Sequence, residues 1–367
     1  MSPHDYNALL DIPNFPPERY APLADRIARL LGTRSDIVFV QAEALLALEA
    51  IATSVARPGL VAANIVTSPY GAYFGAWLRR GGVEVLDIVA EPGQPITAPA
   101  VEAAISVLPK LDILVMVHGE AANGALNPLE AVARQARAHG ALLIIDAVAS
   151  VGAHAIDIDG LGIDFLAIGP QKALGGPVGL SAVAISPRGW SHIAATPSPS
   201  PSLLSLADIK ANWLDKGRGA LPGTPPPLEF WALEAAIGRV EAEGIDARIA
   251  RHQLAARATR TGLRAMGVEP WIVDDDAASA LVTSVPVPPG LDAGTLIVEG
   301  AGLGVALGRG FGDIEDRLLR IDHTGRRAAF ASVSASLAGL GAVLKAHGVA
   351  VDIGAAIRVV AAVYKRT

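Results

Sequence analysis

The alternation of short apolar segments with longer amphipathic ones, between about residue 35 and residue 190, constrains the fold most. The short segments are apolar almost throughout, which is typical of strands covered on both faces of a mostly parallel sheet. Amphipathic stretches between them suit helices packed on those faces. The pattern predicts a doubly wound α/β domain with ligand sites at the carboxyl ends of its strands. The predicted strands are 37–40, 61–66, 83–88, 112–117, 141–145, 163–168 and 180–185, and the predicted helices are 43–56, 71–81, 98–108 and 128–139.

The pattern changes after about residue 245, where longer helices enclose only two apolar strand candidates. This part predicts a smaller C-terminal α+β domain. We therefore divide the chain into an N-terminal arm (1–20), a large domain (21–244) and a small domain (245–367). The further predicted elements are a Pro- and Ser-rich surface loop at 196–206, helices at 228–243, 245–266, 326–346 and 352–364, and strands at 281–285 and 318–322.

Composition excludes several classes of function. The 367 residues carry a net charge of −6 without a basic cluster, which argues against nucleic acid as a partner. The chain has no cysteine, so disulfides, thiolate metal sites and cysteine nucleophiles are excluded, and its eight histidines lack metal-ligand spacing. No apolar run reaches the roughly 18 to 20 residues of a membrane span. The start of the chain does not resemble a secretory signal. We expect a cytoplasmic protein that acts on small molecules, with no metal site.

The segment 141–181 places an acid and a lysine after two neighbouring predicted strands. Asp146 follows the strand at 141–145, and Lys172 lies in a Gly-rich turn after the strand at 163–168. A pyridine aldehyde cofactor needs a lysine amine to form a Schiff base and a carboxylate to keep its ring nitrogen protonated. The two residues suit those tasks. The alternatives are that Asp146 caps a helix and that Lys172 is a solvated surface lysine.

Ordered motifs extend this interpretation to most of the chain. DAVASVG (146–152) and GPQK (169–172) are joined by HGEAANGALNPLE (118–130), SPYGAYFGAW (68–77), PGTP (222–225) and RIDHTG (320–325). This set resembles class V of the fold-type I pyridoxal-phosphate enzymes, which includes the alanine–glyoxylate and serine–pyruvate aminotransferases. The resemblance implies a fold-type I α/β architecture, pyridoxal 5′-phosphate as cofactor, Lys172 as the Schiff-base residue and Asp146 as the partner of the ring nitrogen.

The same resemblance assigns further roles. Tyr70 takes the place of the aromatic residue that stacks on the pyridine ring, and Arg320 that of the arginine that binds the substrate carboxylate. Arg309 is either a second carboxylate contact or a solvated loop arginine. Gln171 and Thr224 match polar contacts to the cofactor phosphate. Thr224 is expected to reach in from a partner subunit, which implies a homodimer, or a dimer of dimers, with the active site at the interface.

The chain departs from the family at the phosphate cradle, the turn before the first long helix. Relatives carry Gly and hydroxyl residues there, whereas this chain reads QAEALLALEA (41–50), with Glu43 followed by Ala44 and Leu45 at the cofactor-facing positions. An acid beside a phosphate dianion is costly. Leu221 stands where relatives often place a phosphate-binding tyrosine. Glu43 is either an acceptor for the 5′-hydroxyl of unphosphorylated pyridoxal or an acid that stabilises a helix N-terminus.

Two more positions complete the predicted site. Val148 is implied to line the ring. Ala121 stands where relatives have a Ser or Thr that bonds the 3′-oxygen of the ring, so that contact falls to Asn123, to water or to nothing.

The altered cradle favours the pyridoxamine–pyruvate branch of the family, which takes unphosphorylated vitamin B6 as a substrate. The expected reaction converts pyridoxamine and pyruvate to pyridoxal and alanine, with Lys172 moving the proton as general base and acid. The alternatives are a phosphate-dependent alanine–glyoxylate or serine–pyruvate type aminotransferase with an eroded cradle, and a non-catalytic B6-binding or scaffold protein. A cysteine desulfurase is disfavoured because no cysteine can carry the persulfide.

Overall fold

The structure, a computed structural model, describes residues 9–196 and 201–366. The predicted N-terminal arm and the predicted loop at 196–206 therefore lie partly outside the described residues. Within the described ranges, no helix is both long and apolar enough to cross a membrane. The same ranges contain no group of three or more His, Asp or Glu side chains placed to hold a metal ion.

A seven-stranded sheet forms the centre of the large domain, in the order β1-β7-β6-β5-β4-β2-β3. Every strand is parallel to its neighbours except β7, which is antiparallel to both β1 and β6. The predicted mostly parallel sheet is thus confirmed. The strands are β1 Asp36–Val40, β2 Val61–Val66, β3 Glu84–Val89, β4 Ile113–Val117, β5 Leu142–Asp146, β6 Phe165–Ile168 and β7 Ser181–Ile185.

Helices cover this sheet and continue through the second half of the chain. Strands β4 to β7 are buried along their whole length, which explains why their sequences are apolar except for Ser181 at the start of β7 and Asp146 at the end of β5. The helices are α1 Tyr20–Leu30, α2 Ala44–Val55, α3 Pro69–Arg80, α4 Ala98–Ser106, α5 Leu129–His139, α6 Ile158–Leu161, α7 Pro187–Ala194, α8 Leu206–Ile209, α9 Pro227–Glu243, α10 Ile245–Met266, α11 Ala293–Gly302, α12 Phe330–Ala346 and α13 Ile353–Lys365.

A small antiparallel sheet lies in the C-terminal part, in the order β8-β10-β9. Its strands are β8 Val282–Pro286, β9 Leu307–Arg309 and β10 Leu318–Asp322. A separate apolar core forms between this sheet and helices α10 to α13. Gly244, with φ at +85°, separates α9 from α10. A domain boundary at 244/245 stays a prediction. The residues of the first apolar core end near this point of the chain, and those of the second core begin at Ala255.

Strands β4, β5 and β6 lie side by side and run in the same direction. Their carboxyl ends therefore open at one edge of the sheet, where α2 and α3 also begin after β1 and β2. The segments that follow these strands carry the predicted site residues to a common edge.

Candidate active site

A cavity opens at this edge, between the N-termini of α2 and α3 and the turns after β4, β5 and β6. The lining residues come from five separate segments of the chain, which only the fold brings together. They are Glu43, Ala44, Leu45, Leu48, Tyr70, Val117, Gly119, Ala121, Asp146, Val148, Ala149 and Lys172.

Asp146 is the last residue of β5 and is 6% exposed. One oxygen of its carboxylate accepts a hydrogen bond from the backbone N–H of Val148, at 2.9 Å. Burial raises the pKa of Asp146 to about 6, although that N–H and the ammonium of Lys172 oppose the rise and Glu43 adds to it. The side chain is therefore an anion at neutral pH, and the Val148 N–H is its one hydrogen-bond donor among the described residues, which suits a protonated ring nitrogen.

Lys172 lies in a tight turn after β6. The backbone N–H of Lys172 donates to Gly169 O at 3.2 Å, and Gly175, with φ at +68°, closes the turn by donating to Lys172 O at 3.0 Å. A Cβ on Gly169 would stand 2.5 Å from Val148 Cγ1, so the turn passes close under the segment that follows Asp146. This proximity directs the lysine into the same cavity as the aspartate.

Tyr70 lies in the first turn of α3, a helix that Ser68 caps by accepting from Tyr70 N at 3.3 Å. Pro69 occupies the first helical position, where its fixed backbone angle favours helix initiation. The Tyr70 ring packs against Phe311 of the small domain, with centroids 5.4 Å apart and planes inclined by 33°. Burial raises the pKa of the Tyr70 hydroxyl, so it stays protonated.

Arg320 comes from β10 and is half-buried at the small-domain side of the site. Its Nη1 donates to the backbone oxygen of Ala121, while its Nε is buried without a hydrogen-bond partner among the described residues. Gly308 of β9 is paired with Arg320, and a Cβ there would stand 3.0 Å from both Nε and Nη2. The glycine leaves the guanidinium room to turn its free N–H groups towards a ligand.

Arg309 is directed elsewhere. Its Nη1 pairs with Glu315 at 3.3 Å and with Asp316 at 3.6 Å, on the turn that follows β9. It does not line the cavity that contains Lys172. Arg320 does not line this cavity either, so the choice for Arg309 between a second carboxylate contact and a solvated loop arginine stays a prediction.

Glu43 is the N-cap of α2. Its carboxylate accepts from Leu45 N at 2.8 Å through one oxygen and from Gln171 Nε2 at 3.2 Å through the other. Ala44 and Leu45 follow it into the cavity and bring no hydroxyl group. Glu43 thus caps the helix and also lines the cavity, and its role as an acceptor for a 5′-hydroxyl stays a prediction.

Besides Arg309, Arg320 and Gln171, three more of the positions named from the sequence lie outside the cavity lining: Thr224, Leu221 and Asn123. Thr224 and Leu221 line a neighbouring groove between β1 and the segment 201–212. Asn123 is fully buried, and its amide is engaged with Thr67 O at 3.3 Å and Ala125 N at 2.9 Å. These positions explain why none of the three side chains contributes to the lining.

Four lining residues were not predicted: Leu48, Val117, Gly119 and Ala149. Each is apolar or small and has no chemical signature in the sequence. Val117 ends β4, and Gly119 follows it, so their position one strand from Asp146 could have indicated them.

The cavity-lining residues form two groups of different chemistry, which we call the ring end and the anion end of the cavity. Lys172, Asp146 and Tyr70 together offer an amine, an anion and an aromatic face, which is a set suited to a protonated pyridine ring. The other end offers the Glu43 carboxylate at a helix N-terminus, which suits a hydroxyl donor and opposes an anion.

Comparison with known proteins gives consistent results. The family model described as Aminotransferase class-V matches residues 18–310. Pyridoxamine–pyruvate transaminase from Mesorhizobium japonicum is 33% identical over 347 residues, 94% of this chain and 88% of that protein. The crystal structure of pyridoxamine–pyruvate aminotransferase from Mesorhizobium loti matches with a TM-score of 0.90 at 32% identity, over 95% of this chain and 89% of that one. That of ureidoglycine–glyoxylate aminotransferase from Bacillus subtilis matches with a TM-score of 0.88 at 26% identity, over 98% and 95%.

Proposed function

The chain belongs to the class V aminotransferase family, and we propose that it transfers the amino group of unphosphorylated pyridoxamine to pyruvate, giving pyridoxal and alanine. The predicted family, the fold-type I architecture and the assignment as an aminotransferase are confirmed by the family match and by the relatives. The choice of substrates is our inference from the two ends of the cavity.

Membership of this family supports pyridoxal phosphate as the cofactor type. The ring of that group fits the site, because Asp146 and Tyr70 line the cavity together with Lys172. Its phosphate does not fit, because the Glu43 carboxylate already accepts the N–H of Leu45 at the start of α2. Helix N-termini bind phosphate through such N–H groups. We therefore assign no role to a phosphate and treat the B6 ring as part of the substrate.

The residues at the ring end divide the chemistry between them. When bound, a protonated B6 ring supplies an electron sink for the carbon that exchanges its amino group. Asp146 keeps that ring protonated by accepting its N–H. Lys172, the one amine among the cavity-lining residues, takes the proton from one carbon and returns it to the other. Tyr70, held by its cap and by Phe311, stacks on the ring and fixes its plane.

Arg320 holds the carboxylate of the oxo acid. One side of its guanidinium is fixed by the oxygen of Ala121, and its Nε lacks a partner among the described residues. A buried cationic donor without a partner is costly, and a carboxylate relieves that cost through charge-assisted hydrogen bonds.

The observation that carries this proposal is the position of Glu43. A carboxylate that caps α2 and contacts Gln171 replaces the anion site with an acceptor for a neutral hydroxyl. A like charge a few ångströms away costs a phosphate group several kcal/mol, roughly 4 kcal/mol for each unit of its charge at 4 Å and an effective dielectric constant of about 20.

The test is turnover by the purified protein with pyridoxamine and pyruvate, in the absence of any phosphate ester, followed as pyridoxal and alanine. We expect both products in equal amounts. No turnover there, together with turnover of pyridoxal phosphate and an amino acid donor, would contradict the proposal.

Gln171 favours one alternative, a phosphate-dependent alanine–glyoxylate or serine–pyruvate type aminotransferase, because its amide faces the same end of the cavity as Glu43. That enzyme would retain a yellow chromophore through dialysis. A non-catalytic B6-binding protein would keep its function after Lys172→Ala.

We further propose a homodimer whose interface covers the groove beside the site. Leu46 and Leu203 line that groove and are 39% and 76% exposed, and Thr224 lies in it rather than in the cavity of its own chain. Light scattering of the purified protein would show twice the mass of one chain, whereas the mass of a single chain would contradict the dimer.

A further inference from the structure

Glu120 is a fully buried carboxylic acid beside the site that the proposed chemistry does not use. It lies between Gly119 and Ala121, both of which line the cavity. One of its oxygens accepts from Thr67 Oγ1 at 2.5 Å, and the other is buried without a hydrogen-bond partner among the described residues. Burial raises its pKa to about 7, although the nearby hydroxyl groups of Thr67 and Ser68 oppose the rise. Because leaving a carboxyl group in such a place is costly, its presence calls for a compensating role.

The first connection of Glu120 leads to Tyr70. The Thr67 hydroxyl accepts from Asn127 Nδ2 at 2.9 Å and therefore directs its own proton to Glu120. Ser68, the next residue, caps α3 and accepts from the N–H of Tyr70. Glu120 thus holds the turn that sets where α3 begins and where the Tyr70 ring lies.

The second connection leads to Arg320. The backbone of Glu120 is fixed in a turn, because its N–H donates to Ala125 O at 2.8 Å and its oxygen accepts from Gly124 N at 3.0 Å. The carbonyl of the next residue, Ala121, accepts from Arg320 Nη1. Movement of this turn would therefore move the anchor of the guanidinium.

We propose that Glu120 is a positioning residue that fixes Tyr70 and Arg320 relative to each other. Tyr70 contacts the ring and Arg320 the oxo acid, so their separation determines whether the two substrates meet in a productive arrangement. The side chain joins the Thr67–Tyr70 turn to the turn that contains the Glu120 backbone, and the next carbonyl of that turn, Ala121 O, anchors Arg320. This role deepens the proposed function and depends on it only for the choice of substrates.

The chain offers a matched control. Asp112, at the opposite end of β4, also links β4 to β2, because its carboxylate accepts from Val61 N at 2.8 Å. It lies at the amino ends of these strands, away from the cavity. Asp112→Asn should leave both KM values within twofold of the wild type, even if it lowers stability.

The experiment measures the two KM values separately, with the B6 amine and the 2-oxo acid that the wild type turns over fastest. Glu120→Ala should raise both KM values about tenfold, whereas Glu120→Gln, which keeps an acceptor for Thr67, should keep both within threefold. Thr67→Val should raise the KM of the amine alone, because it loosens the turn before Tyr70 but leaves in place the Glu120 side chain and the backbone hydrogen bonds that hold the Ala121 turn. A wild type that prefers phosphate esters would overturn the proposed function while still allowing this comparison.

Unchanged KM values in Glu120→Ala, or a change in only one of them, would overturn the role of Glu120. If that variant does not fold, Thr67→Val decides: an unchanged KM for the amine, or an equal rise for the oxo acid, overturns the proposal.

Discussion

The two ends of the cavity around Lys172 differ in how they treat charge. At the ring end, Asp146 is buried with one backbone hydrogen bond, so its negative charge stays available to a cationic ring nitrogen. At the other end, the Glu43 carboxylate accepts hydrogen bonds from the first turn of α2 and from Gln171. The Asp146 carboxylate is thus placed to bind a cationic group, whereas the Glu43 carboxylate lies at a helix N-terminus that would otherwise suit an anion.

This difference shows that one end of an enzyme site can change while the other keeps its chemistry. The ring end depends on the sheet, because Asp146 ends β5 and Lys172 follows β6. The anion end depends on the first residues of α2 and on their contact with Gln171. We therefore expect Glu-Ala-Leu, in place of small hydroxyl residues, to alter which form of the ligand binds without disturbing the fold.

Removing the amine from the ring end should have the largest effect. We expect Lys172→Ala to lower kcat by roughly 10³-fold or more, because no other amine lines the cavity to move the proton. Steady-state turnover of pyridoxamine with pyruvate measures this loss. Lys216→Ala, at an exposed lysine, is the control and should match the wild type. A loss of less than tenfold would remove Lys172 from the chemistry.

Removing the Glu43 charge from the anion end should shift the binding preference towards the phosphate form of the ligand. We expect Glu43→Ser to change the ratio of affinities for pyridoxal phosphate and pyridoxal by about 10²-fold to 10³-fold in favour of the phosphate, because it removes the like charge and keeps a helix cap. Dissociation constants from absorbance titrations give the ratio. Glu49→Gln, on the same helix but paired with Arg80, should leave it unchanged.

Neutralising Asp146 should raise the free energy of unfolding at high pH although it removes a group that the proposed reaction needs. Its folded pKa, about 6, lies above the ordinary value of 3.8, so its contribution to stability is present below pH 4 and is lost as the pH rises through 6. We expect ligand-free Asp146→Asn to exceed the wild type by about 3 kcal/mol in free energy of unfolding at pH 8, with no gain at pH 4. Urea unfolding at both pH values measures this difference.

Asp112→Asn supplies the control of opposite sign. Burial there is outweighed by hydrogen bonds from Lys110 and the Val61 N–H, so the pKa of Asp112 is lowered and its charge stabilises the fold at pH 8. This variant should lose stability at pH 8. If Asp146→Asn also lost stability there, the idea that its charge is kept unpaired for a ligand would be wrong.

Removing the aromatic ring that packs against Tyr70 should give the smallest effect on activity. Aromatic pairs contribute about 0.5–1.5 kcal/mol beyond burial, so Phe311→Leu should raise the KM of the B6 amine roughly threefold and leave that of the oxo acid unchanged. Phe330→Leu is the control, because Phe330 pairs with Tyr364 on α12 and α13. Equal changes in both variants would contradict a specific effect at the ring end.

Much of this arrangement could be predicted from the sequence. Apolar runs located the strands within about two residues, since burial on both faces leaves few polar positions in them. The reversed direction of β7 could not be predicted, because a buried strand is equally apolar in either direction. Strand β9 was missed since three residues, Leu307–Arg309, carry no periodicity.

The site shows the same limit. The motifs placed Asp146 and Lys172 after neighbouring strands, and the structure brings both into one cavity. The direction of Arg309 depends on its pairing with Glu315 and Asp316, which no motif encodes. The importance of Glu120 depends on its burial, which becomes visible only when β2 and β4 are placed side by side.

Calorimetry of the purified wild-type protein can show directly whether the Glu43 end of the cavity excludes an anion. It compares the affinities for pyridoxamine and for its phosphate ester under the same conditions. The position of Glu43 predicts that pyridoxamine binds at least about 10²-fold more tightly. Equal or tighter binding of the phosphate ester would contradict the claim that this end of the cavity excludes an anion.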